Sequence, residues 1–128
     1  MVNKTLTYLD FAIDELLYLT QAYSQGLRFN AMVSQAQRIC ECYMKHAITR
    51  RLMNNDEVMR SHNLRSLYEY MERMGFDMSP IRTDVMMLNN YYTHTRYPGR
   101  DAFLASNEDI TAAVDAITRI AQFMTRFN

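Results

Sequence analysis

From Lys4 to Ser24, apolar residues recur at Leu6, Leu9, Ile13, Leu16 and Leu17. Steps of three and four put them on one face of a helix. Asp10, Asp14 and Glu15 fall off that stripe, Thr20 leaves a gap in it, and Tyr23 resumes it. Gly26 follows as a C-terminal stop. A second stripe runs from about Phe29 to Leu52: Phe29, Met32, Val33, Ala36, Cys40, Tyr43, Met44 and Ala47. Ile39 and Ile48 widen it, which predicts a helix buried on two sides and central in a bundle, or at a partner interface. Asn54-Asn55-Asp56 breaks the pattern.

A third, short stripe is Leu64, Leu67, Met71 and Met74, closed by Gly75. Ser79-Pro80 begins a fourth, with serine as cap and proline at the first helical position. Val85, Leu88 and Tyr92 make its inner face, and a loop covers about Thr93 to Ala105. The fifth opens on Ser106-Asn107-Glu108-Asp109, a cap followed by first-turn acids. Its stripe, from Ile110 to Met124, is the cleanest in the chain. No internal repeat, low-complexity tract or long linker interrupts these segments. The reading is a single all-α domain over residues 1–128, an antiparallel up-and-down bundle of four to five helices.

Short connections imply antiparallel neighbours. Helix two then descends, helix three rises and helix four descends. The C-terminal part of helix two (Lys45, His46, Arg50, Arg51), the start of helix three (His62, Arg65) and the end of helix four (Tyr92, His94, Arg96, Tyr97) are expected at one end. That end is basic and aromatic, although the 128-residue chain balances 14 Lys and Arg against 14 Asp and Glu. The neutral total excludes a global field towards nucleic acid or membrane. Eleven methionines suit an adaptable core or a partner-facing surface. Cys40 and Cys42, about 200° apart on a helix, cannot bond to each other. That suits a reducing compartment. No apolar run reaches the ~18 residues of a membrane span, and the N-terminus lacks the pattern of a signal peptide. The expectation is a soluble cytoplasmic protein without membrane contact.

These residues bring a family into view. The layout resembles the HEPN domain, a five-helix family of higher eukaryotes and prokaryotes associated with nucleotide binding. Many members carry Ala-Gln-Gln-Ala-x-Glu-Lys-Ala-x-Lys on helix two. Here Ala36, Gln37, Glu41 and Lys45 match, while Arg38, Ile39, Cys42 and Tyr43 depart. His62-Asn63-Leu64 matches a His-x-Leu near the start of helix three. Tyr92 with Arg96-Tyr97-Pro98 matches a tyrosine four residues before Arg-Tyr-Pro. The resemblance implies binding of a nucleotide or RNA, frequent homodimers, and frequent pairing with a small nucleotidyltransferase. Glu41, Lys45, His62, Tyr92, Arg96 and Tyr97 are the candidate ligand-binding residues. A second branch of the family consists of RNA-cleaving toxins of toxin–antitoxin pairs, with an arginine, four to six residues, then a histidine. Here Arg38 to His46 encloses seven residues, Arg82 to His94 eleven, and Arg60 to His62 one. The spacing is absent, which favours a non-catalytic domain.

The chemistry has bland alternatives. Arg96 offers a fork of donors for phosphate, or ties its loop to Glu41 or to helix-end carbonyls. Glu41 and Lys45 are an i,i+4 pair in the favourable order, so Lys45 is either a phosphate contact or half of a helical ion pair. His62 and His94 can act as acid and base with Arg96 holding a phosphate, the set an RNase needs. His62 equally serves as a hydrogen-bonder at a helix start. Cys42 and His46 are spaced for a metal, but a site needs further ligands and neither HExxH nor ExxH occurs. No Gly-rich phosphate loop is present. No cofactor is implied. A purely structural dimerisation module, its tyrosines and methionines forming the face, is the third reading.

Overall fold

The computed structural model describes residues 5–51, 54–94, 98–100, 102 and 104–128, without the side chains of 92–94. Among these residues every regular element is helical. Helix α1, Tyr8–Ser24, starts on a capping box. The Asp10 carboxylate accepts from the Thr7 N–H at 2.8 Å while the Thr7 hydroxyl accepts from the Asp10 N–H at 3.2 Å, satisfying two of the donors a helix start leaves open. It stops at Gly26, whose φ of +87° a side chain would resist. Helix α2 spans Ala31–Arg50 and is the central element, flanked by α1 and by later helices. Within the helix its double-width stripe is buried, including Ile39, Met44 and Ile48, whereas Phe29, counted in the stripe, precedes the helix and is exposed.

The segment after α2 is where the structure departs from the expected path. Asn55 caps a short helix, α3, Asp56–Arg60, which periodicity is too brief to show. Asn63 then caps α4, Leu64–Arg73. A 3-10 turn, Ser79–Ile81, forms around Pro80 and leads into α5, Arg82–His94. Ser106 and Asp109 box the start of α6, Asn107–Met124, and a last 3-10 turn covers Thr125–Phe127.

Cross-links between helices give their senses. The Tyr23 and Thr111 hydroxyls share a 2.8 Å bond, and the Ala105 N–H donates to the Asn30 side chain at 2.7 Å. The end of α1, the start of α2 and the start of α6 therefore meet at one end. The Arg51 guanidinium reaches the Arg126 carbonyl at the other, so α6 descends beside α2. Tyr91 donates to Asp109 at 3.0 Å, and Arg119 grips Asp84 through two 2.9 Å bonds, so α5 rises against α6. The Leu64 N–H donates to Asn89 at 2.8 Å, and Phe76 packs edge-on to Phe127, so α4 descends. Helix α4 thus runs in the same sense as α2, opposite to the expected rise, and α5 rises where descent was expected. The cause is that α4 does not follow α2 as a tight hairpin: α3 intervenes, and His62, just before α4, lies beside Gln37 and Glu41 rather than at the end of α2.

Helix α1 also differs in its buried face. Ala12, Leu19 and Ala22 face inward, with Leu9, Leu16 and Tyr23 partly covered. Leu6, Ile13 and Leu17 of the apolar stripe are exposed. Small Ala12 and Ala22 share the inward face with Leu19, and the other large apolar residues flank the contact rather than fill it. The methionines at 32, 44, 71, 78 and 124 are core fillers. No helix among the described residues is long and apolar enough to cross a membrane.

Candidate phosphate-binding strip on α2

Gln37, Glu41 and Lys45 occur at successive turns of one helix and so line one strip. The strip is polar, yet Gln37 is 1% and Lys45 3% exposed. The Lys45 ammonium donates to Glu41 Oε2 at 2.9 Å, its partner among the described residues. His62 Nδ1 donates to the same carboxylate, 3.1 and 3.2 Å from its two oxygens. Gln37 Nε2 donates to the His62 carbonyl at 3.0 Å and leaves its own buried Oε1 without a partner. One carboxylate therefore holds a buried lysine ammonium and an imidazole open to water. Three of the candidate residues, Glu41, Lys45 and His62, are brought together.

The rest of the expected cluster divides. His46 and Arg50 turn towards the start of α1, and Arg51 lies over the Phe127 ring. They do not join His62, because α4 begins beside the N-terminal half of α2, not its C-terminal half. Asn89 bonds to the start of α4, and the backbone of α5 continues one turn further through Tyr92 to His94. The side chains of Tyr92 and His94, and all of Arg96 and Tyr97, lie outside the described residues. Residues that sequence reasoning passed over are Gln37, signalled by its i,i+4 spacing to Glu41 inside the motif, and Arg38. The Arg38 Nε lies 3.3 Å from Glu15 of α1, a pairing that no local spacing announces.

The neighbouring groups are chemically quiet. Burial pushes the Cys42 thiol up to about 11, helped by Glu15 and Glu41 against Arg38 and Lys45. Cys40 is fully buried and raised still further, again by desolvation. Neither is a thiolate near neutral pH. No group of three metal-ligating side chains gathers among the described residues.

His46 is different. Desolvation, then the Arg50 charge, lowers its pKa below the ordinary imidazole value, with Asp10 opposing. A base whose folded pKa is depressed is protonated first in the unfolded chain. Its contribution to stability is full above pH ~6.5 and is lost as pH falls from there through the folded value. Urea midpoints are therefore expected to drop between pH 7.5 and 5.5, and less so in His46→Gln. Asp77 and Asp109, also depressed, act only below the usual carboxylate range. Equal drops in both proteins would sink the assignment to His46.

The sequence matches the family model of the HEPN domain over residues 7–127. No curated protein and no solved structure matches it.

Proposed function

Because the chain belongs to the HEPN domain family, we propose that it is a non-catalytic binding domain taking the phosphate of a nucleotide or RNA on the α2 strip. The observation that carries this is Lys45. A lysine ammonium has three N–H donors and is strongly hydrated when free. Here it is buried and directs one donor to Glu41. A phosphate drawing Lys45 away from Glu41 satisfies the remaining donors with charge-assisted bonds. His62, its side chain 65% exposed, is the entry group. Tyr92, Arg96 and Tyr97 are the further ligand contacts in this reading.

The outer flank of α1 supports a protein partner as well. Ile13 and Leu17 are exposed, one turn apart on the same side of the helix. Exposed apolar patches on small domains serve association. A second copy of this chain is the first candidate, and a small nucleotidyltransferase the second.

The test is binding of pyrophosphate and of a short single-stranded RNA, with light scattering on the same samples. Expected are measurable binding by a dimeric wild type, roughly tenfold weaker binding by His62→Ala, and none by Lys45→Met combined with Glu41→Gln. Leu17→Glu is expected to be monomeric. Equal binding by all variants, or none by wild type, overturns the site. Cleavage of the RNA, lost in His94→Ala, assigns instead a ribonuclease toxin using His62, His94 and Arg96.

A further inference from the structure

A cavity of about 630 Å³ opens where the start of α1 crosses the last turns of α2. Leu6, Tyr8 and Phe11 wall it from the α1 side, and His46, Thr49 and Arg50 from the α2 side. The wall is mostly apolar, yet Leu6, Tyr8 and Phe11 all stay exposed. A hollow of this size, apolar with a few convergent polar groups, is what small ligands occupy.

The polar groups in the wall have unmet capacity. Arg50 is exposed and has no carboxylate partner among the described residues. A guanidinium is a fork of donors with no acceptor. His46 Nε2 is closed off from water and makes no hydrogen bond, which is uncommon for a buried polar atom. No acid stands in the wall. Asp10, whose charge acts on His46, is taken up by the Thr7 N–H and hydroxyl at 2.8 and 3.0 Å. The vacancy in the hydrogen bonding is therefore for an acceptor. One guanidinium balances one carboxylate bidentately. A phosphate, with about two negative charges, would be left half-compensated against an apolar wall.

We propose that this cavity binds a small monocarboxylic acid with an apolar body, its body laid against Tyr8 and Phe11 and its carboxylate gripped by Arg50. His46 turns its ring to give that carboxylate a further donor. The site is separate from the α2 strip. Lys45 does not line the cavity, and neighbouring residues on a helix point about 100° apart.

The test is titration with decanoate, decan-1-ol and acetate, read by calorimetry and by the His46 ring resonances. Decanoate is expected to bind and to move His46. Decan-1-ol has the apolar body without the charge, and acetate the charge without the body. Each is expected to bind at least about tenfold more weakly. Arg50→Gln is expected to weaken decanoate about tenfold and to leave decan-1-ol unchanged. Thr49→Trp, at an exposed position, fills the cavity and is expected to abolish binding of both. Pyrophosphate, which reads the α2 strip, is expected to bind both variants as it binds wild type, so the two sites succeed or fail separately. Decan-1-ol bound as tightly as decanoate, or decanoate held equally by Arg50→Gln, overturns the carboxylate site. Decanoate held by Thr49→Trp places the ligand elsewhere and overturns the cavity. Tighter binding to a monomeric Leu17→Glu assigns the cavity to a second copy of this chain, and no binding by wild type ends the proposal.

Discussion

Leu67→Ala is expected to lower the unfolding free energy by about 3 kcal/mol. Leu67 is fully buried in α4, the helix that packs between α2 and α5. Truncation removes apolar area from the core and leaves a cavity, because three helices meeting at one point cannot all shift to fill it. For a domain of 128 residues this corresponds to a melting temperature lower by about 10 °C. Met74→Ala is the control. Met74 lies just past the last turn of the same helix but is exposed, so its loss is expected to stay within about 0.5 kcal/mol. Urea unfolding checks both, with the slope unchanged. A Leu67→Ala protein as stable as the control would mean that α4 does not dock on α2 as described.

The second large effect is a coupling. Lys45→Met keeps the volume of the buried stem but strips Glu41 of its buried cation, and Glu41 is itself mostly covered. Breaking one side of such a pair leaves an uncompensated carboxylate, and the expected loss is about 2–3 kcal/mol, tempered by the remaining bond from His62. Glu41→Gln alone leaves the ammonium unpaired, with a similar loss. The double variant removes both charges and is expected to regain most of the stability. The cycle then shows a coupling of more than about 1 kcal/mol between positions 41 and 45. Purely additive losses would show that the two side chains do not act as a pair. Pyrophosphate binding separates structure from function in the same proteins: the double variant is stable but does not bind.

Much of the candidate site was legible before any coordinates. Glu41 and Lys45 are four apart on a helix with strong periodicity, so their pairing is a local fact. The nearness of His62 was also anticipated, although from a wrong path. The sequence reading brought it in at the C-terminal end of α2 through a rising helix. In the structure it arrives beside Gln37 and Glu41, at the head of a descending one. The error lies in residues 51–63. A run of polar residues with one short, largely exposed helical turn reads as a simple break, and nothing local tells whether it doubles back or travels along its neighbour. His46 and Arg50 were assigned to the same basic end for the same reason, and they face α1 instead.

By itself the sequence determined the all-helical architecture, the approximate positions of the five main helices, the cap at Ser106, the stops at Gly26 and Gly75, and the central place of α2; the caps at Thr7 and Asn63 came only with the structure, and Ser79, expected to cap the fourth helix, lies in a 3-10 turn before it. Each legible feature follows from interactions within a few residues: hydrogen bonds to open N–H groups, the backbone freedom of glycine, the 3.6-residue period. Only the tertiary structure decided the sense of α4 and α5, the inward turn of Ala12 rather than Ile13 on α1, and the burial of Lys45. These depend on how closely two helices approach and on what a connection passes over. The free energy that settles them is shared among residues far apart in the chain, where no periodicity records it.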